Sequence, residues 1–308
     1  MKEKVTVFGS FVVDLMGRTP HLPVPGETVK GSMFKMGPGG KGFNQGVAAH
    51  KVGADVTMVT KLGNDLFSNI ALDAMKELDM DSSKVFITDE RETGTAIIMV
   101  DEETSQNKIV VILSACDSIT DEEVDSITDT IKESSYLLTQ LETNISAVER
   151  VIKIADENDV KIVLNPAPIQ QIDTELLSKM YLITPNEIEA EILTGIEVDG
   201  LENARKASRW FLDKGVKNVM ITLGSRGVFV SDGQKEDMIP AYKVDAIDTT
   251  GAGDAFNGGV LAALAEGKDI WEAARYANAL AAVSVQRLGT TPAMPTAEEV
   301  EEFIKNNN

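Results

Sequence analysis

The order of predicted strands and helices is the feature that most constrains this fold. Short runs rich in β-branched residues alternate with longer segments whose apolar residues recur at helical spacing. Such alternation predicts a mostly parallel sheet covered by helices. The predicted strands are Val5–Phe8, Val56–Thr60, Val85–Thr88, Tyr136–Thr139, Lys161–Leu164, Leu182–Thr184, Asn218–Thr222 and Val228–Val230. The predicted helices include Leu66–Leu78, Ser146–Asn158, Glu187–Leu193, Asn203–Asp213, Ala252–Ala265, Ile270–Gln286 and Ala297–Lys305.

Two regions, Phe11–Met36 and Gly94–Leu113, break this alternation because they hold strand-like runs with no helix between them. The runs are Val12-Val13, Thr28–Phe34, Thr95–Val100 and Lys108–Leu113. Within them Ile97–Val100 and Ile109–Leu113 are apolar at consecutive positions, so both faces of each strand require burial. We predict a small lid sheet that covers a cleft with one face and a second copy of the lid with the other. The alternative is two further strands of the main sheet.

The charge balance limits the partners of the chain. Its 29 Lys and Arg residues face 49 Asp and Glu residues, a net charge of −20, which argues against binding to nucleic acid or anionic membranes. Cys116 is the only cysteine, so an intrachain disulfide and a cysteine-based zinc site are impossible. The N-terminal residues lack the pattern of a signal peptide, and no apolar run approaches the length of a membrane span. We therefore expect a cytoplasmic globular protein.

The stretch Asp248–Gly258 combines glycines with an acid at the start of an alanine-rich helix. Glycines let consecutive backbone N–H groups point to one place, and the helix N-terminus adds partial positive charge, so this turn suits a phosphate. Asp254 would repel that ligand, but its presence makes sense if it takes a proton from a hydroxyl that attacks the phosphate. The alternative is that Asp254 only caps the helix.

A second glycine-rich stretch, Gly37–Gly46, precedes another helix. It contains the pattern G-x-G-x-x-G at Gly37–Gly42, so a dinucleotide site must be considered, but no strand ending in an acid follows at the usual place. A better interpretation is that the glycines bring the backbone close to a polar ligand. Lys41 and Asn44, on the first turn of the helix, would then offer donors to its hydroxyls. An ordinary turn between a strand and a helix is the alternative.

Polar clusters also follow three predicted strands, at Gln140–Glu142, Pro185–Glu189 and Thr222–Gly227. Open α/β sheets bind ligands at the carboxyl ends of their strands. Asn186 and Glu189 are three residues apart, on one face of a helix start, where they could order waters around Mg²⁺. Each cluster alone can be a helix cap, but together they predict a ligand site at this edge.

These motifs resemble, in order, those of the ribokinase (phosphofructokinase-B) family of sugar kinases, over essentially the whole chain. The matching stretches are Gly9-Ser10 with Asp14, Pro25–Thr28, Gly39–Gln45, Asn165–Pro168, Pro185–Glu187, Thr222–Gly227 and Asp248–Asp254. The resemblance implies a three-layer α/β/α sandwich with a mostly parallel sheet, plus a small β-sheet lid. The kinase domain would comprise residues 1–10, 37–93 and 114–308, and the lid residues 11–36 and 94–113. It also implies a homodimer formed through the lids.

The activity implied by the resemblance is transfer of the γ-phosphoryl group of ATP to the 5-hydroxyl of a pentose such as D-ribose. Asp254 would be the catalytic base, with anion-hole N–H groups from Gly251, Ala252 and Gly253. The residues implied around the sugar are Asp14, Gly40, Lys41, Asn44 and Glu142, with Val12, Ala96 and Ile98 beside them. The residues implied at the nucleotide are Asn186, Thr222, Gly224 and Asn278, with Glu189 organising Mg²⁺ through water. A loop for a monovalent cation, usually K⁺, would involve Asp248, Thr250, Ser284, Arg287 and Gly289.

Three departures bear on the substrate and the cation. Val12 stands where similar ribokinases carry Asn, and a nonpolar residue there resembles the deoxyribokinase branch, whose substrate lacks the 2-hydroxyl. A buried apolar side chain leaves a sugar hydroxyl unpaired, which costs about 1–3 kcal/mol. Ser114–Cys116 replaces the usual Gly-Ala-Asn, and Ala293 replaces a serine that often contributes to the cation site. A 2-deoxyribose kinase and another sugar or nucleoside kinase of the family remain alternatives. So do a Rossmann NAD(P) oxidoreductase and an inactive sugar-binding regulator.

Overall fold

The structure, a computed structural model, describes residues 3–104 and 106–307. Residues 1, 2, 105 and 308, which the expected domain ranges include, lie outside the described residues. The strands are β1 Lys4–Phe8, β2 Val12–Thr19, β3 Met33–Gly39, β4 Asp55–Gly63, β5 Val85–Thr88, β6 Thr95–Asp101, β7 Asn107–Ile112, β8 Tyr136–Thr139, β9 Lys161–Leu164, β10 Met180–Ile183, β11 Asn218–Thr222, β12 Val228–Ser231 and β13 Glu236–Ile239. The helices are α1 Lys41–Lys51, α2 Ser68–Glu77, α3 Asp121–Ser126, α4 Thr128–Lys132, α5 Ile145–Glu157, α6 Glu187–Thr194, α7 Leu201–Asp213, α8 Ala252–Ala265, α9 Ile270–Ser284 and α10 Ala297–Asn307.

The main sheet has nine strands in the order β13-β12-β11-β10-β9-β8-β1-β4-β5. The neighbours from β11 to β5 are parallel, and β12 and β13 extend one edge as antiparallel strands. One apolar cluster joins the sheet to α1, α2, α8, α9 and α10, and a second joins its other face to α3–α7. The predicted α/β/α arrangement is therefore present, and the carboxyl ends of the parallel strands meet at one edge.

The lid sheet is a separate sheet of four strands in the order β3-β2-β6-β7. Since opposite residues in its ladders point to the same side, the pairing of Asp14 with Ala96 places both on one face, which we call the inner face. The opposite, outer face exposes a group of large apolar side chains. They are Phe34, Met36, Ile97, Val110 and Ile112. Because β6 and β7 lie in this sheet, the alternative that they extend the main sheet is wrong.

Strands buried on both faces were the most predictable elements. Those at Tyr136–Thr139, Lys161–Leu164 and Asn218–Thr222 have the predicted bounds, and so has the partly exposed edge strand Val85–Thr88. The sequence patterns did not indicate β13, α3 or α4, which are only four, six and five residues long. No helix within the described ranges is long and apolar enough to cross a membrane.

The strand predicted at Thr28–Phe34 is wrong in position, because β3 occupies Met33–Gly39. Glycine and proline normally disfavour strands, yet β3 continues through Gly37-Pro38-Gly39. An edge strand tolerates proline, since one side of its backbone makes no ladder bonds. The lid sheet therefore extends three residues past the expected boundary at Met36 and leads directly into α1.

Candidate active site

Helix α8 begins at the carboxyl edge of the main sheet with Gly251 as its N-cap, at φ 77°. Its first i→i−4 bond runs from Ala255 N–H to the Gly251 carbonyl (2.8 Å), so the N–H groups of residues 252–254 lie ahead of the helical ladder. Ala252 N–H donates to the Thr249 carbonyl (3.2 Å), whereas an added Cβ at Gly253 would meet no atom within 4 Å. The turn thus presents a helix N-terminus to open space, as an anion site requires.

Asp254 is the third residue of α8 and is only 7% exposed. Its Oδ2 accepts a hydrogen bond from Asn44 Nδ2 (3.0 Å), and its Oδ1 accepts one from Gln45 Nε2 (2.9 Å). The N-cap of α8 makes no side-chain capping bond. The alternative that Asp254 only caps the helix is therefore wrong. Asn44, expected at the sugar, lies against this carboxylate.

Close packing of α1 against α8 brings these amides to Asp254. Gly258 permits the approach, because a Cβ there would lie 2.5 Å from the Ala48 Cβ and 2.6 Å from the Gln45 carbonyl oxygen. A larger residue at this position would separate the two helices. The position of Asp254 therefore depends on the small residues of α8, because they let α1 approach closely.

Glu142, after β8, supplies the acceptor that the N-cap Gly40 of α1 lacks. Its Oε2 accepts hydrogen bonds from Ser10 Oγ (2.5 Å) and from Lys41 N–H (2.8 Å). Burial raises the pKa of Glu142 by more than the attraction of Lys41 and the bond from Ser10 lower it. The loop after β1, the start of α1 and the loop after β8 therefore meet around one carboxylate.

Lys41 provides the positive charge of this group. Burial lowers the pKa of Lys41, but attraction by Asp254, Glu142 and Glu189 outweighs that effect, and the pKa lies above its usual value. The ammonium is therefore charged at neutral pH. A cation at this position suits ligands that bring hydroxyls or phosphates next to acids.

Asp14, in β2, brings a further carboxylate from the lid to this group. Burial raises its pKa to about 6, repulsion by Glu142 and Asp254 adds to the rise, and a hydrogen bond with Thr290 opposes it. The carboxylates of Asp14, Glu142 and Asp254 thus come from the lid, the loop after β8 and the start of α8, and they face one cleft. Such a site has acceptors for several hydroxyls at once.

Three apolar residues lie beside Asp14 on the inner face of the lid, and Lys35 and Arg18 lie further along that face. Val12 precedes Asp14 by two residues in β2, so both point to the same side, and Val12 is 3% exposed. Ala96 pairs with Asp14, and Ile98 lies two residues further along the same side of β6. The structure therefore brings together Asp14, Val12, Ala96 and Ile98, as expected.

Asn186 and Glu189 form a capping box at the start of α6. Asn186 N–H and Nδ2 donate to the two Glu189 oxygens (2.8 and 2.9 Å), and Glu189 N–H donates to Asn186 Oδ1 (2.8 Å). Burial raises the pKa of Glu189. Each carboxylate oxygen accepts one bond from Asn186 and keeps a further lone pair. Glu189 can therefore cap the helix and still receive a water.

The expected nucleotide residues lie near the ends of β10, β11 and β13. Thr222 N–H donates to the Pro185 carbonyl (3.0 Å), which ties the end of β11 to the residue before Asn186. Gly224 follows at φ +55°, with open space around it. Asn278, in α9, donates to the Ile239 and Pro240 carbonyls (3.3 and 3.2 Å). Asn278 thus anchors the chain leaving β13.

Asp248 joins two loops beside the start of α8. Its oxygens accept hydrogen bonds from Thr250 N–H and Gly289 N–H, both at 3.0 Å. Burial raises the pKa of Asp248, but these bonds lower it more, and the pKa lies below its usual value. The structure thus brings together three of the five residues expected at a monovalent cation.

The other two, Ser284 and Arg287, have partners elsewhere. The guanidinium of Arg287 donates to both Glu299 oxygens (2.6 and 3.2 Å), and the Ser284 hydroxyl donates to the Ala281 carbonyl (2.8 Å). The Arg287 side chain is therefore committed to an ion pair on α10. Only its backbone can face the loop of Asp248.

The stretch Gly37–Gly42 does not have the setting of a dinucleotide motif. Its first three residues are the end of β3, an antiparallel edge strand of the lid sheet, and no parallel strand of the main sheet precedes it directly. A Rossmann motif requires a strand–turn–helix unit of the main parallel sheet. The oxidoreductase alternative is therefore unsupported.

Several polar residues at the site received no role from the sequence. Gln45 and Asn165 lie inside matched motifs, but nothing in their spacing indicates that Gln45 bonds to Asp254 or that Asn165 bonds to Gln45. Thr291 Oγ1 donates to Asn44 Oδ1 (2.8 Å) from 247 residues away. Contacts across such separations depend on the packing of the helices, and no local pattern reveals them.

Comparison with known proteins places the chain in a family. The family model "pfkB family carbohydrate kinase" matches residues 2–297. The chain is 43% identical to ribokinase from Haemophilus influenzae, with 99% of this chain and all of that protein covered. It is 34% identical to deoxyribokinase from Salmonella typhi, with 98% and 99% covered.

A solved structure agrees with these relatives. Ribokinase from Arabidopsis thaliana, complexed with ribose and ATP, superposes with a TM-score of 0.91 at 28% identity, with 99% of each chain covered. The expected fold, a three-layer sandwich with a small lid sheet, is confirmed. By its sequence over almost the whole length and by its fold, this chain belongs to the pfkB family of carbohydrate kinases.

Proposed function

We propose that this protein is an ATP-dependent kinase that phosphorylates the 5-hydroxyl of D-ribose. The observation that supports this most is the placement of Asp254, a buried carboxylate at the open N-terminus of α8, within one cleft with Asp14, Glu142 and Lys41. Ribokinases similar along the whole chain, one of them bound to ribose and ATP, support the same substrates.

In the proposed reaction Asp254 takes the proton of the 5-hydroxyl while that oxygen attacks the γ-phosphorus of ATP. The new O–P bond forms as the bond to the bridging oxygen between the β- and γ-phosphorus atoms breaks, and ADP leaves. The N–H groups of Gly251, Ala252 and Gly253 and the dipole of α8 stabilise the charge on the transferred group. Since Ala252 N–H already bonds within its turn, Gly251 and Gly253 supply most of this stabilisation.

The sugar would lie between the two sheets. Asp14, Glu142 and Lys41 provide charged partners for its hydroxyls, and Gly40 lets the backbone approach it. Asn44 joins them by exchanging its bond with Asp254 for one with the sugar. Val12, Ala96 and Ile98, on the same face of the lid as Asp14, cover the apolar side of the ring. In this proposal the lid comprises residues 11–36 and 94–113, with β3 continuing to Gly39, and the remaining residues form the kinase body.

The nucleotide would lie along the ends of β10 and β11, against Asn186, Thr222 and Gly224, with Asn278 flanking the base. The Glu189 oxygens fit a water-mediated contact with Mg²⁺, because each keeps a free lone pair. Mg²⁺, arriving with ATP, would neutralise phosphate charge.

A monovalent cation such as K⁺ fits beside the anion hole. The Asp248 carboxylate is ionised at neutral pH and joins the loops of Thr250 and Gly289, and the backbones near Ser284 and Arg287 complete the site. Ala293 stands where a serine often contributes to the cation site, so this position offers the cation no hydroxyl. Replacing K⁺ by tetramethylammonium in the assay should lower kcat, and Asp248→Ala should abolish that response.

A 2-deoxyribose kinase is the second candidate, favoured by the buried Val12 on the inner face of the lid. The test of both is ADP release with a panel of pentoses, 2-deoxypentoses, hexoses and nucleosides. We expect ribose or 2-deoxyribose to give the highest kcat/KM. Turnover only with hexoses or nucleosides would refute the substrate, and absence of turnover with binding of a sugar would indicate a regulator.

A further inference from the structure

Three buried amide side chains lie behind Asp254, on the side away from the cleft. They are Gln45, Gln140 and Asn165, which are 0%, 1% and 5% exposed. Gln45 Nε2 donates to Asp254 Oδ1 (2.9 Å) and to Asn165 Oδ1 (3.0 Å), and Gln140 Nε2 donates to Gln45 Oε1 (2.7 Å). We call these three side chains the amide row.

The direction of each hydrogen bond in the amide row is set by the backbone. Asn165 Nδ2 donates to the Thr184 carbonyl (3.0 Å), and a carbonyl can only accept. Asn165 must therefore turn Oδ1 toward Gln45, which must answer with its NH₂ group. The same NH₂ group then faces Asp254. The fold thus places a donor at the carboxylate whether or not Asp254 is charged.

These hydrogen-bond directions leave an unsatisfied group at the far end of the amide row, on Gln140. Because Gln45 Oε1 is turned away from Asp254, Gln140 must donate to it, and Gln140 Oε1 is left buried with no partner among the described residues. This oxygen lies against Gly9, where an added Cβ would come within 2.1 Å of it. A buried unsatisfied acceptor is destabilising and rare in folded proteins. Reversing all three amides would satisfy Gln140 only by turning an amide oxygen toward the Asp254 carboxylate.

Asp254 has a second donor, Asn44 Nδ2, but the two amides are not equivalent. Asn44 lies on the cleft side, where the proposed function requires it to turn to the sugar. Gln45 is fully buried and touches no part of the cleft that a sugar could occupy. When the sugar is bound, Gln45 is therefore the side chain that still holds Asp254.

We propose that Gln45 is a positioning residue for the base: its NH₂ group, oriented by Asn165, fixes the orientation of the Asp254 carboxyl group, with the other oxygen directed into the cleft. This inference rests on the proposed function, because it assigns Asp254 the role of base. The other charged groups that face Asp254 are Lys41 on α1, Asp14 on β2, Glu142 after β8 and Glu189 on α6. None of these contacts Gln45 in the amide row, so a change at Gln45 leaves them in place.

The test compares two variants of similar side-chain volume. Gln45→Met removes the donor, so the ionised form of Asp254 loses a hydrogen bond and the acidic limb of the kcat/KM profile moves up by about one pH unit. Turnover on the plateau falls about tenfold, with the KM for ATP unchanged. Gln45→Glu places a second carboxyl beside Asp254, so the pair shares a proton and the limb moves up further.

Asn218→Leu is the matched control. Asn218 is also a buried amide, and it donates to the Tyr181 carbonyl (2.8 Å). It lies at the start of β11, at the amino ends of the parallel strands and so away from the site. It should lower thermal stability without moving the pH profile. If Gln45→Met moves the profile no more than Asn218→Leu does, Gln45 is only structural and the inference is overturned.

A second readout does not depend on turnover. The ¹³C shift of the Asp254 carboxyl, assigned by its loss in Asp254→Asn, reports its titration directly. A wild-type protein without turnover would refute the proposed function, and this titration would still decide the role of Gln45. An upward shift in Gln45→Met supports the inference, and unchanged titration in that variant refutes it. If Gln45→Met does not fold, Gln45→Leu, which also lacks the donor, takes its place.

Discussion

The main sheet and the lid sheet differ in how far they bury their apolar side chains. The nine strands of the main sheet have helices on both faces, and its central side chains are fully buried. The outer face of the lid sheet is only partly covered, and on it Phe34 is 70% and Val110 56% exposed. Fixed packing holds the base and its amides in the main body, whereas the lid presents Asp14 and an apolar face on a thin, separate layer.

This difference separates two tasks. Asp254 belongs to the main body, so its position is set by the packing of α1 and α8 before any ligand binds. Asp14 belongs to the lid, so its distance from the sugar depends on how the two sheets meet. Changes in the main body should therefore reduce kcat, and changes in the lid should act on sugar binding and on association.

The largest expected effect is in the main body. Asp254→Asn keeps the shape of the side chain but removes the proton acceptor, so kcat should fall by at least about 10²-fold. The dissociation constant for ATP, measured by calorimetry, should change little. Asp232→Asn is the control and should be active, because Asp232 lies in the turn after β12, at the amino ends of the parallel strands. Wild-type turnover in Asp254→Asn would refute the role of Asp254 as the catalytic base.

The next largest effect is expected at Asp14 in the lid, where sugar binding and stability should respond differently. Asp14→Asn removes a charged acceptor for sugar hydroxyls, so the KM for the sugar should rise about 10- to 100-fold, with a smaller change in kcat. In the wild type, the same KM should rise as the pH falls through about 6, because Asp14 takes up a proton there. Sugar titrations at pH 5 and pH 8 measure both effects.

Stability should change in the opposite direction. The folded protein raises the pKa of Asp14 from 3.8 to about 6, so the charged form is the less stable one in the fold. The penalty is absent below pH 3.8, grows between the two values and is complete above pH 6. At pH 8, Asp14→Asn should therefore melt about 2–6 °C above the wild type, and near pH 4 the two should melt together. A lower melting temperature at pH 8 would contradict the sign of this shift.

A smaller effect concerns association through the outer face of the lid. We propose that two lids pair there, so Val110→Lys would bury two charges and weaken the dimer by at least about tenfold. Analytical ultracentrifugation measures this. Leu66→Lys changes an exposed leucine outside the lid and is the matched control. A wild-type protein that is monomeric at micromolar concentration would rule out the dimer.

The smallest effect is on the choice of sugar. Val12→Asn should improve the kcat/KM for ribose relative to 2-deoxyribose by about 3- to 10-fold, because an amide can pair with the 2-hydroxyl. Competition between the two sugars measures this ratio directly. Val12→Leu is the apolar control. An unchanged ratio in Val12→Asn would mean that another residue selects the sugar.

The sequence predicted those parts of the molecule whose physical cause is local. Strands such as Tyr136–Thr139 are apolar on both sides, and the start of α8 shows its glycines and its acid in order. The position of β3 was wrong, because only its place at the sheet edge lets Gly37–Gly39 extend a strand. The partners of Asp254 lie 209 and 210 residues away in the chain, so only tertiary packing defines them.

The topology of the lid has a consequence for synthesis of the chain. β2 and β3 can form a hairpin as soon as they leave the ribosome, but β6, the other neighbour of β2, is made only after β4, α2 and β5. Until then one edge of β2 is unpaired and can join the same edge of another nascent chain. Rapid overproduction should therefore favour aggregation before residue 95 is reached, and slower translation or a chaperone that covers strand edges should relieve it.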